Sequence, residues 1–263
     1  MVYETIEVKQ EGAIAWLTLN RPESLNAMNP QLVNEVRDFF GGLPQDTQTR
    51  VVVMRGAGRA FCAGLDLKNP GGGVGGISDA VRMQRHISEI AILMKRAPQP
   101  IIACVHGAAA GGGFAMALAS DVRLAGESAR MNAAFIKIGL SACDVGVSYF
   151  LPRMVGASIA SELMLTGRFI HAERARELGL VSSVVPDDEL EAEARKLAQE
   201  MLATTPLGLK LTKECLTASI DAASLEQAIA MEDRNQILCS QSQDFREGIA
   251  AFLEKRPPRY SDA

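Results

Sequence analysis

Three glycines, Gly111-Gly112-Gly113, separate two apolar runs, Ile101-Ile102-Ala103-Cys104-Val105 and Phe114 to Ala119. The first run, bounded by Pro100 and His106-Gly107, predicts a buried strand, and the second predicts the start of a buried helix. A strand that feeds a glycine turn into a helix N-terminus presents free backbone N–H groups. Without a Cβ, glycine lets an oxygen atom come close to those amides. The ligand that suits them is a developing oxyanion, held by fixed donors and the helix dipole. A packing turn with no ligand would carry the same three glycines. The second group is Asp144, alone in the small and apolar turn from Gly139 to Tyr149. A carboxylate in such company is poorly solvated and more basic than usual, which suits a general base. It could also attack carbon directly, or cap a helix starting at Val145.

These groups need elements to hold them. The chain has 263 residues and is 48% hydrophobic, enough for one large core or a core with a smaller appendage. A net charge of −4 argues against a nucleic-acid or anionic-membrane surface. The five cysteines are scattered without a CxxC pair, which is reduced, intracellular usage with no disulfide frame. His86, His106 and His171 make no metal-spaced pair, so no metal is expected. No signal peptide is apparent, and the apolar runs stop short of a membrane span of roughly 20 residues. A cytoplasmic protein is expected.

Along the chain, Tyr3–Lys9 and Ala13–Leu19 predict a hairpin around Glu11-Gly12. Pro30 opens an amphipathic helix that Gly41-Gly42 should stop. Val51–Gly56 predicts a buried strand. Gly71–Gly76 is expected to be a flexible loop, a lid over the site, because it lacks the Lys-Ser/Thr ending of a phosphate loop. Ser78-Asp79 is expected to cap a helix running to about Lys95. A short strand follows at Val122–Ala125. Alternating strands and helices indicate an α/β core. From Leu190 the sequence turns helical, with helices at Leu190–Thr204, Pro206–Ser219, Ser224–Gln241 and Asp244–Glu254.

The segment Ala60-Phe61-Cys62-Ala63-Gly64-Leu65-Asp66-Leu67, followed by His106 to Asp121 (HGAAAGGGFAMALASD), closely resembles the enoyl-CoA hydratase/isomerase (crotonase) family. The resemblance extends to Asn20-Arg21-Pro22 with Leu25-Asn26-Ala27, to Leu165-Thr166-Gly167 with Gly179-Leu180-Val181, and to Ala251–Arg256. It implies a spiral of repeated β-β-α units over residues 1–195. It also implies a helical oligomerisation region over 196–263, forming a homotrimer or a dimer of trimers. The amides of Leu65 and Gly112 would bind the thioester oxygen of an acyl-CoA and stabilise its enolate. Ser24, Leu25, Ala27, Ala63, Asp66, Leu67 and Lys68 would lie along the coenzyme A path. Phe252 and Lys255 would reach coenzyme A, often from a neighbouring subunit. Phe135 and Leu140 would wall the acyl pocket. No cofactor is implied beyond the coenzyme A of the substrate.

The sequence departs from the hydratases at both of their glutamates, whose positions hold Ala115 and Phe135. Neither can move a proton. The segment around Asp144 resembles the one that carries a working aspartate in dienoyl-CoA isomerases, dihydroxynaphthoyl-CoA synthases and chlorobenzoyl-CoA dehalogenases, with one extra residue relative to the isomerase pattern. The expected activity is therefore isomerase-type proton transfer by Asp144, although the usual family label would be enoyl-CoA hydratase. A non-catalytic acyl-CoA binder, a hydrolase and a dehalogenase are the alternatives. The last would need a histidine near His86, which falls about two residues off the required helical position. Cys62, Cys143 and His106 are expected to be packing residues. Tyr149 is expected either to donate a hydrogen bond in the pocket or to lie in the core.

Overall fold

A computed structural model of the chain describes residues 3–68 and 76–261. All of the expected lid except Gly76 lies outside the described residues. The hairpin is β1 (Ile6–Glu11) and β2 (Ile14–Leu19), paired antiparallel. Next come α1 (Pro30–Gly42), β3 (Val51–Gly56), α2 (Ile77–Arg96), β4 (Ile101–Val105), β5 (Ala108–Ala110) and α3 (Gly112–Ala119). They are followed by β6 (Val122–Gly126), β7 (Arg130–Asn132), α4 (Val147–Val155), α5 (Ala157–Thr166), β8 (Ile170–His171), α6 (Ala172–Glu177) and β9 (Ser183–Val185). The chain closes with α7 (Leu190–Leu202), α8 (Pro206–Ser219), α9 (Leu225–Ser240) and α10 (Gln243–Glu254).

Six strands form one sheet in the order β1-β2-β3-β4-β6-β9, parallel from β2 onwards. Both of its faces are buried, which is why β3 and β4 read as unbroken apolar runs. Successive side chains alternate between two cores. Val51 and Val53 pack with Leu190, Ala194 and Ala198 of α7. Val52 and Met54 pack with Leu32, Val36 and Phe40 of α1.

Each of the strands β2, β3, β4 and β6 continues into a second, shorter extended piece. These second pieces line up beside one another: Met28 bridges Leu65, Cys62 bridges Ala109, and β5 pairs with β7. This succession of β-β-α turns is the crotonase fold. The second sheet, β5-β7-β8, is not apparent in the sequence, because strands of two or three residues such as Ala108–Ala110 have no run long enough to alternate.

Two boundaries differ from expectation. α1 runs through Gly41 and Gly42 into a 3₁₀ turn. α2 starts at Ile77 on Gly76 without a side-chain cap, and Asp79 pairs with Arg82 instead. The last three helices begin where hydroxyl caps stand: Thr205, Ser224 and Ser242 each accept an amide of the first turn. The boundary expected between residues 195 and 196 falls inside α7. No helix among the described residues is long and apolar enough to cross a membrane.

One buried carboxylate pins the N-terminus. Glu35 on α1 accepts the amides of Glu4, Thr5 and Ile6 and the Thr5 hydroxyl, at 2.6–3.1 Å. Burial raises its pKa, but the bonds from Thr5 and Glu4 outweigh that and hold it at about 2. A depressed pKa stabilises the fold above the ordinary carboxylate pKa, and this stability is lost as pH falls towards 2. Glu35→Gln is expected to cost about 2 kcal/mol at pH 7 and progressively less on acidification, as read by urea unfolding at several pH values.

Candidate active site

The glycine turn is built by close packing. Gly111 has φ +51°, a conformation open to glycine, and its amide donates to Asn132 O at 3.0 Å. A Cβ placed on Gly113 would lie 2.2 Å from Cys62 O, so the start of α3 rests directly on the segment leading to Leu65. Ala110 N donates to Cys62 O and Cys62 N to Ala108 O, at 2.9 and 3.0 Å.

On the other side of that segment, Met28 N donates to Gly64 O (2.7 Å) and Asp66 N to Met28 O (3.1 Å). The Leu65 amide between them is turned away from Met28. Neither it nor the Gly112 amide donates a hydrogen bond among the described residues. Two free amides on adjoining turns are what an oxyanion site requires. Their surroundings are apolar. A Cβ on Gly112 would meet Met28 Sδ at 2.5 Å, and the Phe135 ring lies against Gly111. Ala115 and Phe135 are both buried. Leu65 and Met28 open onto a cavity of about 310 Å³, walled by α1 and by Asp79, Met83 and Ile87 of α2. A larger cavity of about 1090 Å³ lies between α2, α4 and α8 without touching either glycine-turn amide. The smaller one adjoins Leu65 and Met28, the residue against which Gly112 packs.

Asp144 is half-buried in the turn before α4. Burial raises its carboxyl above the ordinary carboxylate range, while the Val145 amide and Gln84 pull the other way. It is not a helix cap, since α4 begins on Gly146. Its Oδ1 accepts Val145 N at 2.8 Å and the Gln84 side chain of α2 at 2.5 Å. Gln84 carried no signal in the sequence, being 60 residues away on a helix. Met28 was equally hidden.

Of the coenzyme A positions, Ser24, Leu25 and Ala27 lie beside Ala63 and Leu65, with Ala63 N donating to Leu25 O at 3.0 Å. Leu67 and Lys68 follow, exposed. Asp66 is buried. It accepts Arg21 Nη2 at 2.9 Å, and Arg21 also reaches Ala27 O, so the pair ties the two segments together. Leu140 is half-exposed, and its amide donates to Phe135 O at 3.1 Å. Phe252 (83% exposed) and Lys255 lie at the end of α10, which packs on α9.

His86 hydrogen-bonds Asn34 and Arg37 of α1, not Asp144. Tyr149 is exposed and donates to Asp221, so it is not a core residue; it lines the larger cavity and not the one beside Leu65. His106 bonds Gly58 O at 2.9 Å. Burial pushes the Cys62 thiol up to about 12, which makes it inert. Cys143 is exposed. Among the described residues, no group of three or more His, Cys, Asp or Glu side chains could hold a metal ion.

The fold is of the crotonase kind. The family model for enoyl-CoA hydratase/isomerase matches residues 9–263, and the chain belongs to that family. It is 39% identical over 255 residues to the probable enoyl-CoA hydratase EchA12 of Mycobacterium tuberculosis, covering 95% of this chain and 90% of that protein. It is 35% identical to the 1,2-epoxyphenylacetyl-CoA isomerase of Escherichia coli, over 95% and 96% of the two chains. A solved probable enoyl-CoA hydratase/isomerase from Mycobacterium abscessus superposes with a TM-score of 0.92 at 38% identity, covering 98% of this chain and 99% of that one. The chain is therefore a lyase or isomerase acting on an acyl-CoA.

Proposed function

We propose that this protein is an isomerase-type enzyme in which the Leu65 and Gly112 amides hold the thioester oxygen and Asp144 moves the proton. The carboxylate takes a proton from the carbon α or γ to the thioester, and the electron pair passes to the oxygen as an enolate. Asp144, whose carboxyl proton exchanges with solvent, then delivers a proton to the other carbon as the pair flows back, so the double bond shifts and nothing is consumed. The observation that carries this reading is Asp144 itself, half-buried with a raised pKa in the turn before α4, while Ala115 and Phe135 at the glycine turn cannot ionise. An elevated pKa matches a general base to neutral pH. The dehalogenase alternative is disfavoured, because His86 is engaged with α1. The reading needs no cofactor beyond the coenzyme A carried by the substrate.

The same reading makes 196–263 an oligomerising region. Leu225, Ile237, Leu238, Phe252 and Leu253 leave α9 and α10 with exposed apolar side chains suited to a homotrimer or a dimer of trimers. Phe252 and Lys255 would then serve a neighbour's coenzyme A.

The test is incubation with a panel of acyl- and enoyl-CoAs in heavy water, followed by product mass. Deuterium entering the α- or γ-carbon supports the reading. A mass gain equal to water would make the protein a hydratase, and released free coenzyme A would make it a hydrolase. Tight thioester binding without exchange would make it a binding protein.

A further inference from the structure

We propose that Gln84 is a positioning residue that aims Asp144, fixing Oδ1 as the anchored oxygen and Oδ2 as the one that carries the proton. This rests on the isomerase reading and adds to it which oxygen reacts and what holds it. Oδ1 receives two donors from two elements, Gln84 Nε2 on α2 at 2.5 Å and the Val145 amide at 2.8 Å. Oδ2 has no hydrogen-bond partner among the described residues. Two donors on one oxygen fix the plane of the carboxylate and leave the other oxygen's lone pairs free to take a proton.

The backbone gives independent support. Val145 has φ +46°, a conformation a β-branched residue rarely adopts, and Gly146 follows at +85°. The Val145 amide donates to the carboxylate that precedes it, and Val147 N closes the turn on Asp144 O at 2.9 Å. Strain of this kind persists where the surroundings over-determine it, typically at functional sites.

No charged side chain competes with this arrangement among the described residues. On α2, Arg85 flanks Gln84, His86 is held by Asn34 and Arg37, and Glu89 pairs with Arg37. On α4, Arg153 pairs with Asp221. Cys143 precedes Asp144 in the turn, and Lys137 lies on the segment before it. None of these makes an ion pair with Asp144.

The test uses the full-length protein and the thioester most active in the exchange panel. Gln84 is exposed, so its substitution is expected to preserve the fold, with a melting curve as the check. Gln84→Leu removes the donor. It is expected to lower kcat about tenfold with KM within about twofold, and to move the acidic limb of the pH profile to higher pH, because a bond to the charged form is lost. Gln84→Lys keeps a donor of similar reach and adds a cation. It is expected to restore most of kcat and to move the limb below wild type. A Gln84→Leu enzyme with wild-type kcat and pH profile, alongside an inactive Asp144→Asn enzyme, would overturn this inference alone. An active Asp144→Asn enzyme would overturn the isomerase reading and this inference with it.

Discussion

Asp144→Asn is expected to lower the rate of solvent-deuterium exchange about a thousandfold while leaving thioester affinity within a few-fold of wild type. Positioned general bases contribute typically 10²–10⁴-fold, so a thousandfold loss corresponds to about 4 kcal/mol of barrier. The substitution is conservative in the ways that matter for binding. The Asn carbonyl can still accept the Val145 amide and Gln84, which donate to Oδ1 in the parent. The turn is therefore kept and only the basic oxygen is lost. Wild-type activity should fall on acidification through a pKa above the ordinary carboxylate range, and the residual activity of the variant should show no such limb. Stability gives a second readout of opposite sign. A carboxyl whose pKa is raised by folding stabilises the native state below its unfolded pKa, and that contribution is lost as pH rises through the folded pKa. At neutral pH the charged Asp144 opposes folding, so the Asn variant is expected to unfold at higher urea than wild type at pH 7, an advantage that disappears near pH 4. An enzyme that loses turnover and gains stability through one atom exchange would mark Asp144 as a group kept for chemistry. Unchanged exchange would leave the protein without an acid–base group at this turn.

The parts of this site that could be read in the sequence are the local ones. Gly111–Gly113 between two apolar runs specified a strand, a turn and a helix within about 20 residues, and β4 and α3 follow from that spacing, whereas the pairing of the Leu65 and Gly112 amides was implied only by the family resemblance. The last three helices, expected at Pro206–Ser219, Ser224–Gln241 and Asp244–Glu254, likewise fall within a residue of their places. What was hidden depends on contacts across the chain. Asp66 stands in a motif that implied the coenzyme A path, and nothing local marks it as a buried partner of an arginine. Its burial comes from Arg21, 45 residues earlier. Gln84 occupies an ordinary polar position on α2, and nothing local marks it as the partner of a turn 60 residues later. β5, β7 and β8 exist because neighbouring turns of the spiral offer them partners, so no intrinsic propensity of Ala108–Ala110 could reveal them. The wrong start of α2 has the same origin. Ser78 and Asp79 are good caps in isolation, yet the chain is already helical when it reaches them.

A backbone donor cannot be deleted by changing its own side chain, so the Leu65 amide is best tested through its neighbour. Gly64→Ala is expected to lower kcat by about a hundredfold. Gly64 has φ +94°, and a Cβ there would lie 2.8 Å from Ala110 O and 3.6 Å from Gly111 Cα. Both atoms belong to the approach to the glycine turn, which is backbone on every side and cannot yield as a flexible side chain would. The added methyl group must push the segment through Ala63 and Leu65 away from that turn, separating the two amides that are to share one oxygen. Removing one oxyanion donor costs about 3–4 kcal/mol of transition-state stabilisation, or a factor of 10²–10³ in rate. A partly displaced donor falls at the lower end. Strain alone would also lower stability, by about 1–3 kcal/mol, so a control is required. Gly12→Ala supplies it. Gly12 has φ +59° in the β1–β2 turn with nothing within 4 Å of its would-be Cβ, so it bears the same kind of backbone strain far from any amide in the site. It is expected to lose stability while retaining the full exchange rate. If Gly64→Ala also kept its rate at a comparable loss of stability, Leu65 N–H would not be a catalytic donor, and the oxyanion would have to rest on the Gly112 end of the turn alone. A rate that falls only for Gly64→Ala would place the developing charge between the two turns, because that gap is what the methyl group opens.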